Sequence, residues 1–189
     1  HYVARHQGDL VPVIKGNGYG FGIPTLAREA EGFSAGCVAC YSAEEAASIR
    51  SQYNGDVLLL SPQESIDEPW IIHTVAPHSK DFIEKRPARF VIEIISPVKR
   101  HGFKIAQIKG AISDYATSGR CEGLAIHLPI DQQRMNVDVI TWIAGQFEQL
   151  ANAGVHPSDY SQTLWISHIA PDELVEVRKR WPDIRWRVR

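Results

Sequence analysis

The chain has 189 residues, enough to bury one sizeable hydrophobic core or to form part of a larger protein. Its net charge of -2, with 22% charged residues, argues against a nucleic-acid-binding or membrane-surface module. No apolar run approaches the ~18 residues that a membrane-spanning helix needs, so we expect a cytoplasmic protein that binds neither membranes nor nucleic acids.

Strand-like and helical segments alternate along the chain. The strand-like runs are mostly apolar on both faces and rich in β-branched residues, as buried parallel strands are; they cover residues 11–16, 36–41, 56–61, 71–76, 89–95, 123–128, 163–169 and 184–189. Helical segments lie between them, at residues 24–33, 42–50, 78–86, 104–116, 137–154 and 171–181. Eight strands of this kind indicate an α/β protein with a TIM-type (β/α)8 barrel, and a doubly wound open sheet is the alternative.

Local signals mark individual elements. Ser42 and Glu45 form a predicted capping box at the start of the second helix, and Gly154 is the predicted end of the longest one. Cys37 and Cys40 form a CxxC inside a strand-like run, with no second pair in the chain. We therefore predict a buried structural role for both, rather than a metal or redox site, in an intracellular protein.

The first strand runs into a glycine-rich segment, VPVIKGNGYGFG, at residues 11–22. A lysine at the end of a buried strand stands at the mouth of a sheet, where its amine can act as a nucleophile or a base. The glycines let the backbone approach a bulky ligand closely. The lysine precedes the glycines, so the run is not a GxxxxGK[ST] phosphate loop, and it is not GxGxxG either. Spacing alone equally allows Lys15 to be a solvated residue beside a tight turn.

The segment VIKGNGYGFG resembles the signature of the alanine racemase family, whose usual form is VKANAYGHG. The resemblance implies that Lys15 carries pyridoxal 5'-phosphate (PLP) as a Schiff base and that the hydroxyl of Tyr19 contacts the phosphate. The chain departs from the pattern at Gly16, Gly18 and Phe21, where the family more often has alanine, alanine and histidine. None of these differences removes a reacting group.

The resemblance also favours the barrel over the open sheet. Alanine racemases pair a PLP-binding barrel with a C-terminal β domain, and this chain ends at the eighth predicted strand. We therefore expect residues 1–189 to be the PLP-binding barrel domain of a longer two-domain protein, with the β domain absent.

Two further positions follow strands whose carboxyl ends face the active site in a barrel. Arg100 lies in KRHGF after the fifth strand and resembles the arginine that the family places near the cofactor and the substrate carboxylate. His127, in GLAIHLP, resembles the histidine whose ring stacks on the pyridine ring of PLP. The alternatives are a solvated basic residue for Arg100 and a core histidine for His127.

The last two strands supply the remaining candidates. Ser167 and His168 stand near the family's Asn-Ser pair for phosphate binding, but by this alignment His168 and Ile169 replace the asparagine and the serine. Arg189 aligns with the arginine that donates to the pyridine nitrogen and keeps it unprotonated, with Arg187 as the competing register. Such an arginine makes PLP a poorer electron sink, which suits racemisation and disfavours transamination.

The resemblance implies a PLP-dependent isomerase that interconverts the L and D forms of a small amino acid, with alanine as the leading substrate. Lys15 would be one acid/base, and the second would be a tyrosine from the C-terminal domain of the partner subunit in a homodimer. Among the tyrosines of this chain, Tyr41, Tyr53, Tyr115 and Tyr160 match no such motif. We therefore expect the 189 residues alone to bind PLP poorly and to show little or no racemase activity.

Three alternatives remain open from the sequence. The first is a non-catalytic PLP-binding carrier or regulatory barrel. The second is a racemase or barrel decarboxylase acting on another amino acid. The third is a structural domain in which Lys15 merely ends a strand.

Overall fold

Seven parallel strands form one sheet in which each strand pairs with the next along the chain. The computed structural model describes residues 9–64, 66–79, 87–117, 119–130 and 138–189. The strands are β1 (Cys37–Cys40), β2 (Asp56–Leu59), β3 (Ile71–Val75), β4 (Arg89–Ile94), β5 (Arg120–His127), β6 (Thr163–Ser167) and β7 (Arg185–Val188). All seven overlap predicted strand-like runs, although β5 begins three residues before the predicted run at 123–128, and the parallel order fits their apolar character on both faces.

The sheet is curled, because one short segment bonds to strands at both of its edges. Leu10 bridges Val188 of β7, and Val13 bridges Ala39 of β1, both in the parallel sense. The amide of Ile14 donates to the carbonyl of Ala39 over 2.8 Å. The predicted strand at residues 11–16 therefore ends early: pairing stops at Ile14, and residues 16–19 form a turn with left-handed backbone angles that no strand can adopt.

The helices follow the predicted segments closely. They are α1 (Ile23–Gly32), α2 (Ala43–Arg50), α3 (Ile105–Ala116), α4 (Val139–Asn152) and α5 (Pro171–Arg180), with a short 3-10 helix at Pro157–Tyr160. Most of the helix predicted at residues 78–86 lies outside the described residues. In the described part of the chain, no helix combines the length and the apolar character needed to cross a bilayer.

The capping box predicted at the start of α2 forms only in part. The Ser42 hydroxyl accepts from the amide of Glu45 over 3.2 Å, as predicted. The carboxylate of Glu45 does not return to Ser42; it accepts from the amides of Tyr41 (2.7 Å) and Gly16 (2.6 Å). Glu45 therefore ties the start of α2 to the glycine-rich turn.

The side chains of the strands divide between two sides of the sheet. On the inner side, a cluster of buried apolar residues fills the space that the curled sheet surrounds: Val11, Cys37, Ala39, Leu58, Ile72, Val91, Ala125 and Trp165. On the outer side, two clusters pack beneath the helices, and Cys40 belongs to one of them. Cys37 and Cys40 are thus buried on opposite faces of β1 with free thiols, and burial raises the pKa of each to about 12. The predicted burial of both CxxC cysteines is confirmed.

Candidate functional site

One cavity opens at the carboxyl ends of the strands, where the chemistry of parallel barrels is found. Its wall contains all seven residues that the sequence singled out: Lys15, Tyr19, Arg100, His127, Ser167, His168 and Arg189. Five further residues complete it: Val13, Tyr41, Leu60, Glu93 and His101. The parallel order of the strands explains this convergence, since each strand ends at the same edge of the sheet.

Lys15 follows the last paired residue of the segment that joins the sheet edges, and its side chain is half-buried in the cavity wall. The next four residues, from Gly16 to Tyr19, all have φ between +52° and +62°. Such angles are costly for most residues, and glycine at two of the four positions removes that cost. A Cβ on Gly16 would meet no protein atom within 4 Å, so within the protein it is the backbone conformation that favours glycine at this position.

Arg100 and His127 are in direct contact. Nη1 of Arg100 lies 3.3 Å from Nε2 of His127. Because a guanidinium only donates hydrogen bonds, Nε2 must be the accepting nitrogen of a neutral imidazole. Burial lowers the pKa of His127 to about 3, helped by the positive charges of Arg100, Arg189 and Lys15. The ring is therefore a neutral surface at physiological pH.

His168 stands beside that ring. The two imidazoles meet edge to face, with centroids 4.9 Å apart and an interplanar angle of 88°. His168 has a left-handed backbone (φ +60°) and an exposed side chain, whereas Ser167 before it is buried at the end of β6. The turn after β6 thus brings one hydroxyl and one imidazole to the cavity wall.

Arg189 and Glu93 form a buried ion pair in the cavity wall. Nη2 of Arg189 donates to both carboxylate oxygens of Glu93, over 3.2 and 3.0 Å. The exposed fractions of the two side chains are 3% and 6%. Sequence reasoning missed Glu93, although an acidic residue within the apolar run RFVIEII was a signal that something inside the fold must pair with it.

Arg187 and Arg189, the two residues that compete for the cavity position, lie at different depths in the fold. Arg187 lies below the cavity, with its guanidinium carbon 4.3 Å above the ring centroid of Trp165 in the inner cluster. Burial lowers the pKa of Arg187. Arg189 follows two residues later, so its side chain is on the same face of the strand, and it reaches the cavity. The structure therefore favours the register that assigns the cavity position to Arg189.

The cavity is basic. Among the described residues its wall contains three basic side chains, those of Lys15, Arg100 and Arg189, against the single carboxylate of Glu93. A phosphate monoester, with a charge of about -1.5 to -2 at neutral pH, matches such a surplus. An amine at Lys15, donors for an anion and a neutral ring at His127 together suit a ligand with an aldehyde, a phosphate and an aromatic ring.

Comparison with known proteins agrees with this geometry. The sequence profile described as "Alanine racemase, N-terminal domain" matches residues 2–158. No curated protein matches the chain. Among solved structures, alanine racemase from Oenococcus oeni superposes with a TM-score of 0.67 at 17% identity, over 99% of this chain and 52% of that one.

Two other solved structures show the same fold. Alanine racemase from Streptomyces lavendulae has a TM-score of 0.64 at 22% identity, over 87% of this chain and 48% of that one. Histidine racemase from Leuconostoc mesenteroides has a TM-score of 0.59 at 15% identity, over 78% of this chain and 44% of that one. This chain spans about half the length of these proteins. Since the profile match covers most of the sequence, the chain belongs to the family of alanine racemase N-terminal domains.

Proposed function

We propose that these residues form the PLP-binding domain of an amino-acid racemase, with a small amino acid, and alanine first, as the substrate. The observation that carries the proposal is the meeting of the Lys15 amine, the neutral His127 ring and two guanidinium groups in one basic cavity. Membership of the family supports it.

The residues of the cavity fit PLP by their chemistry. The amine of Lys15 is the group that can bond to the aldehyde, and the ring of His127 can stack on the pyridine. Donors for the phosphate are available from Tyr19, Ser167 and His168. Nε of Arg189 is buried and has no hydrogen-bond partner among the described residues, so a ligand acceptor would satisfy it. PLP, when bound, withdraws electrons from the α-carbon of an amino acid and so acidifies its α-hydrogen.

The protein's own residues would then handle the proton and the carboxylate. Lys15 removes the α-proton on one face of the substrate, or returns it there. Arg100 can hold the substrate carboxylate with the fork of its guanidinium, while its Nη1 contacts His127. Arg189 would donate to the pyridine nitrogen of bound PLP without protonating it, which would limit electron withdrawal and favour racemisation over transamination.

Racemisation requires a second acid/base on the opposite face, and we propose that a C-terminal domain of a partner subunit supplies it in a homodimer. Three tyrosines, Tyr53, Tyr115 and Tyr160, are buried in the clusters beneath the helices. Tyr41 lines the cavity, but it directly follows β1, the strand to which the Lys15 segment pairs. This placement beside Lys15 supports an external source.

We also propose that residues 10–14 form the first of the eight strands of a closed (β/α)8 barrel, in addition to β1–β7. Their bridges to β7 and β1 support closure. An amino acid other than alanine is the second candidate substrate, because histidine racemase shares the fold.

Absorbance spectroscopy of the full-length protein with added PLP tests the proposal. We expect a visible band of lysine-linked PLP that borohydride abolishes and that Lys15→Ala removes. Lys179→Ala is the matched control, because Lys179 is exposed on α5 and lies outside the cavity wall. Exchange of the α-hydrogen of alanine with solvent deuterium, compared with histidine, then tests the substrate. A folded protein that shows no band would sink the cofactor assignment.

A further inference from the structure

We propose that Glu93 is a positioning residue that holds the guanidinium of Arg189 in place for the ring nitrogen of PLP. The inference rests on the proposed function and names a residue that the sequence comparison with the family did not supply. In the ion pair between them, both oxygens of Glu93 accept from one nitrogen, Nη2 of Arg189.

Burial makes this pair a fixed part of the cavity. With exposed fractions of 6% and 3%, neither Glu93 nor Arg189 can be solvated by water if its partner is lost. In the described part of the chain, Glu93 is also the only acidic residue of the cavity wall. Arg189 therefore has no second carboxylate there to which it could turn.

The ion pair uses only some of the hydrogen-bond donors of the Arg189 guanidinium. Nη2 is bound to Glu93, whereas Nε of Arg189 is buried without a partner among the described residues. An arginine anchored by one nitrogen, with a donor still unpaired, is preorganised to donate to a ligand. The backbone supports the same placement, because the amide of Arg189 donates to the carbonyl of Ile166 over 2.9 Å.

A purely electrostatic role and a positioning role of Glu93 predict opposite changes in PLP affinity when its carboxylate is removed. Removing the carboxylate makes the cavity more positive, and by charge alone it should tighten the binding of anionic PLP. Without its anchor, however, Arg189 is repelled by Lys15 and Arg100 and loses its alignment. If Glu93 acts through Arg189, Glu93→Gln must therefore weaken PLP binding despite the favourable change in charge.

A double-mutant cycle on the PLP dissociation constant tests this in the full-length protein. We expect Glu93→Gln to raise the constant about tenfold in the parent, and less than about twofold in the Arg189→Gln background. Glu122→Gln is the matched control: Glu122 pairs with Arg89 over 2.8 Å outside the cavity wall, and its loss should affect unfolding but not PLP binding.

Each outcome decides a separate point. Equal effects of Glu93→Gln in both backgrounds, or tighter PLP binding in the single variant, would overturn the positioning role. Absence of the PLP band from the folded parent would instead overturn the proposed function, and the inference with it. If Glu93→Gln does not fold, Glu93→Asp replaces it in the cycle. This variant keeps the charge and shortens the side chain by one methylene. We expect the same coupling to Arg189.

Discussion

At the residue scale, His127 shows how burial and charge act in the same direction. Its ring ends β5 between Arg100 and His168, in a wall that also contains Lys15 and Arg189. Burial disfavours the imidazolium, the surrounding positive charges disfavour it further, and the pKa falls to about 3. A neutral ring can lie against an aromatic ligand without the desolvation cost of a charge.

The low pKa of His127 predicts a specific pH dependence of stability. Between about pH 6.5 and pH 3 the unfolded chain binds a proton at this position that the folded chain does not. The free energy of unfolding should therefore fall as the pH drops from 7 to 5. In the His127→Gln variant it should fall less. We expect the fall in the parent protein to exceed the fall in the variant by about 1 kcal/mol. This is half of the value for a ring that takes up a full proton only in the unfolded state, because the ring of His127 is only half-buried.

Urea unfolding of both proteins at pH 7 and pH 5 measures this difference. Burial also lowers the pKa of His73 and His101, but these residues are present in both proteins, so the comparison isolates His127. An identical fall in the two proteins would mean that the folded imidazole takes up a proton in this range, contrary to its environment.

At the element scale, the glycine-rich turn depends on a contact that sequence patterns do not reveal. The capping pattern correctly identified Ser42 as the residue before α2, because that signal is local. The partner of Glu45, the amide of Gly16, is 29 residues away and depends on how α2 packs against the turn. The left-handed angles from Gly16 to Tyr19 likewise set the turn apart from the predicted strand end.

Removing the charge of Glu45 should loosen this turn. Glu45→Gln weakens two charge-assisted hydrogen bonds, those from Gly16 (2.6 Å) and Tyr41 (2.7 Å). Glu44→Gln is the matched control, because Glu44 also lies in the first turn of α2 but has an exposed side chain. We expect Glu45→Gln to lower the free energy of unfolding by about 1–2 kcal/mol more than the control.

Amide hydrogen exchange at Gly16 and Tyr41 gives the local readout for Glu45→Gln. Faster exchange at both positions than in Glu44→Gln is the expected result. Equal stability and equal exchange in the two variants would show that the carboxylate does not hold the turn.

At the scale of the whole molecule, parallel strand order explains what the sequence could predict. Residues at the ends of β5 and β6, such as His127 and Ser167, were expected at one edge of the sheet, and the structure places them in one cavity. Glu93 was missed because its partner, Arg189, is 96 residues away and the pair forms only when the sheet curls. Local sequence patterns thus predict where strands end. Ion pairs between side chains of distant strands can be found only once the three-dimensional fold is known.

Racemisation by the proposed mechanism needs a second acid/base, which we propose lies outside these residues. In the proposed function Lys15 serves one face of the substrate, and no tyrosine among Tyr53, Tyr115 and Tyr160 lines the cavity. Since a positioned acid/base contributes about 10²–10⁴-fold, residues 1–189 expressed alone should racemise alanine at least about 100-fold more slowly than the full-length protein, and bind PLP more weakly.

Circular dichroism of the 189-residue chain first establishes that it is folded, and sedimentation of the full-length protein tests for the homodimer. Mixed dimers provide the sharper measurement. A full-length Lys15→Ala variant would keep the proposed C-terminal domain, so mixing it with the folded 189-residue chain should restore turnover if the second group comes from the partner subunit. Robust turnover by the 189 residues alone would show that the second acid/base lies within them, and Tyr41 in the cavity wall would be the first residue to replace.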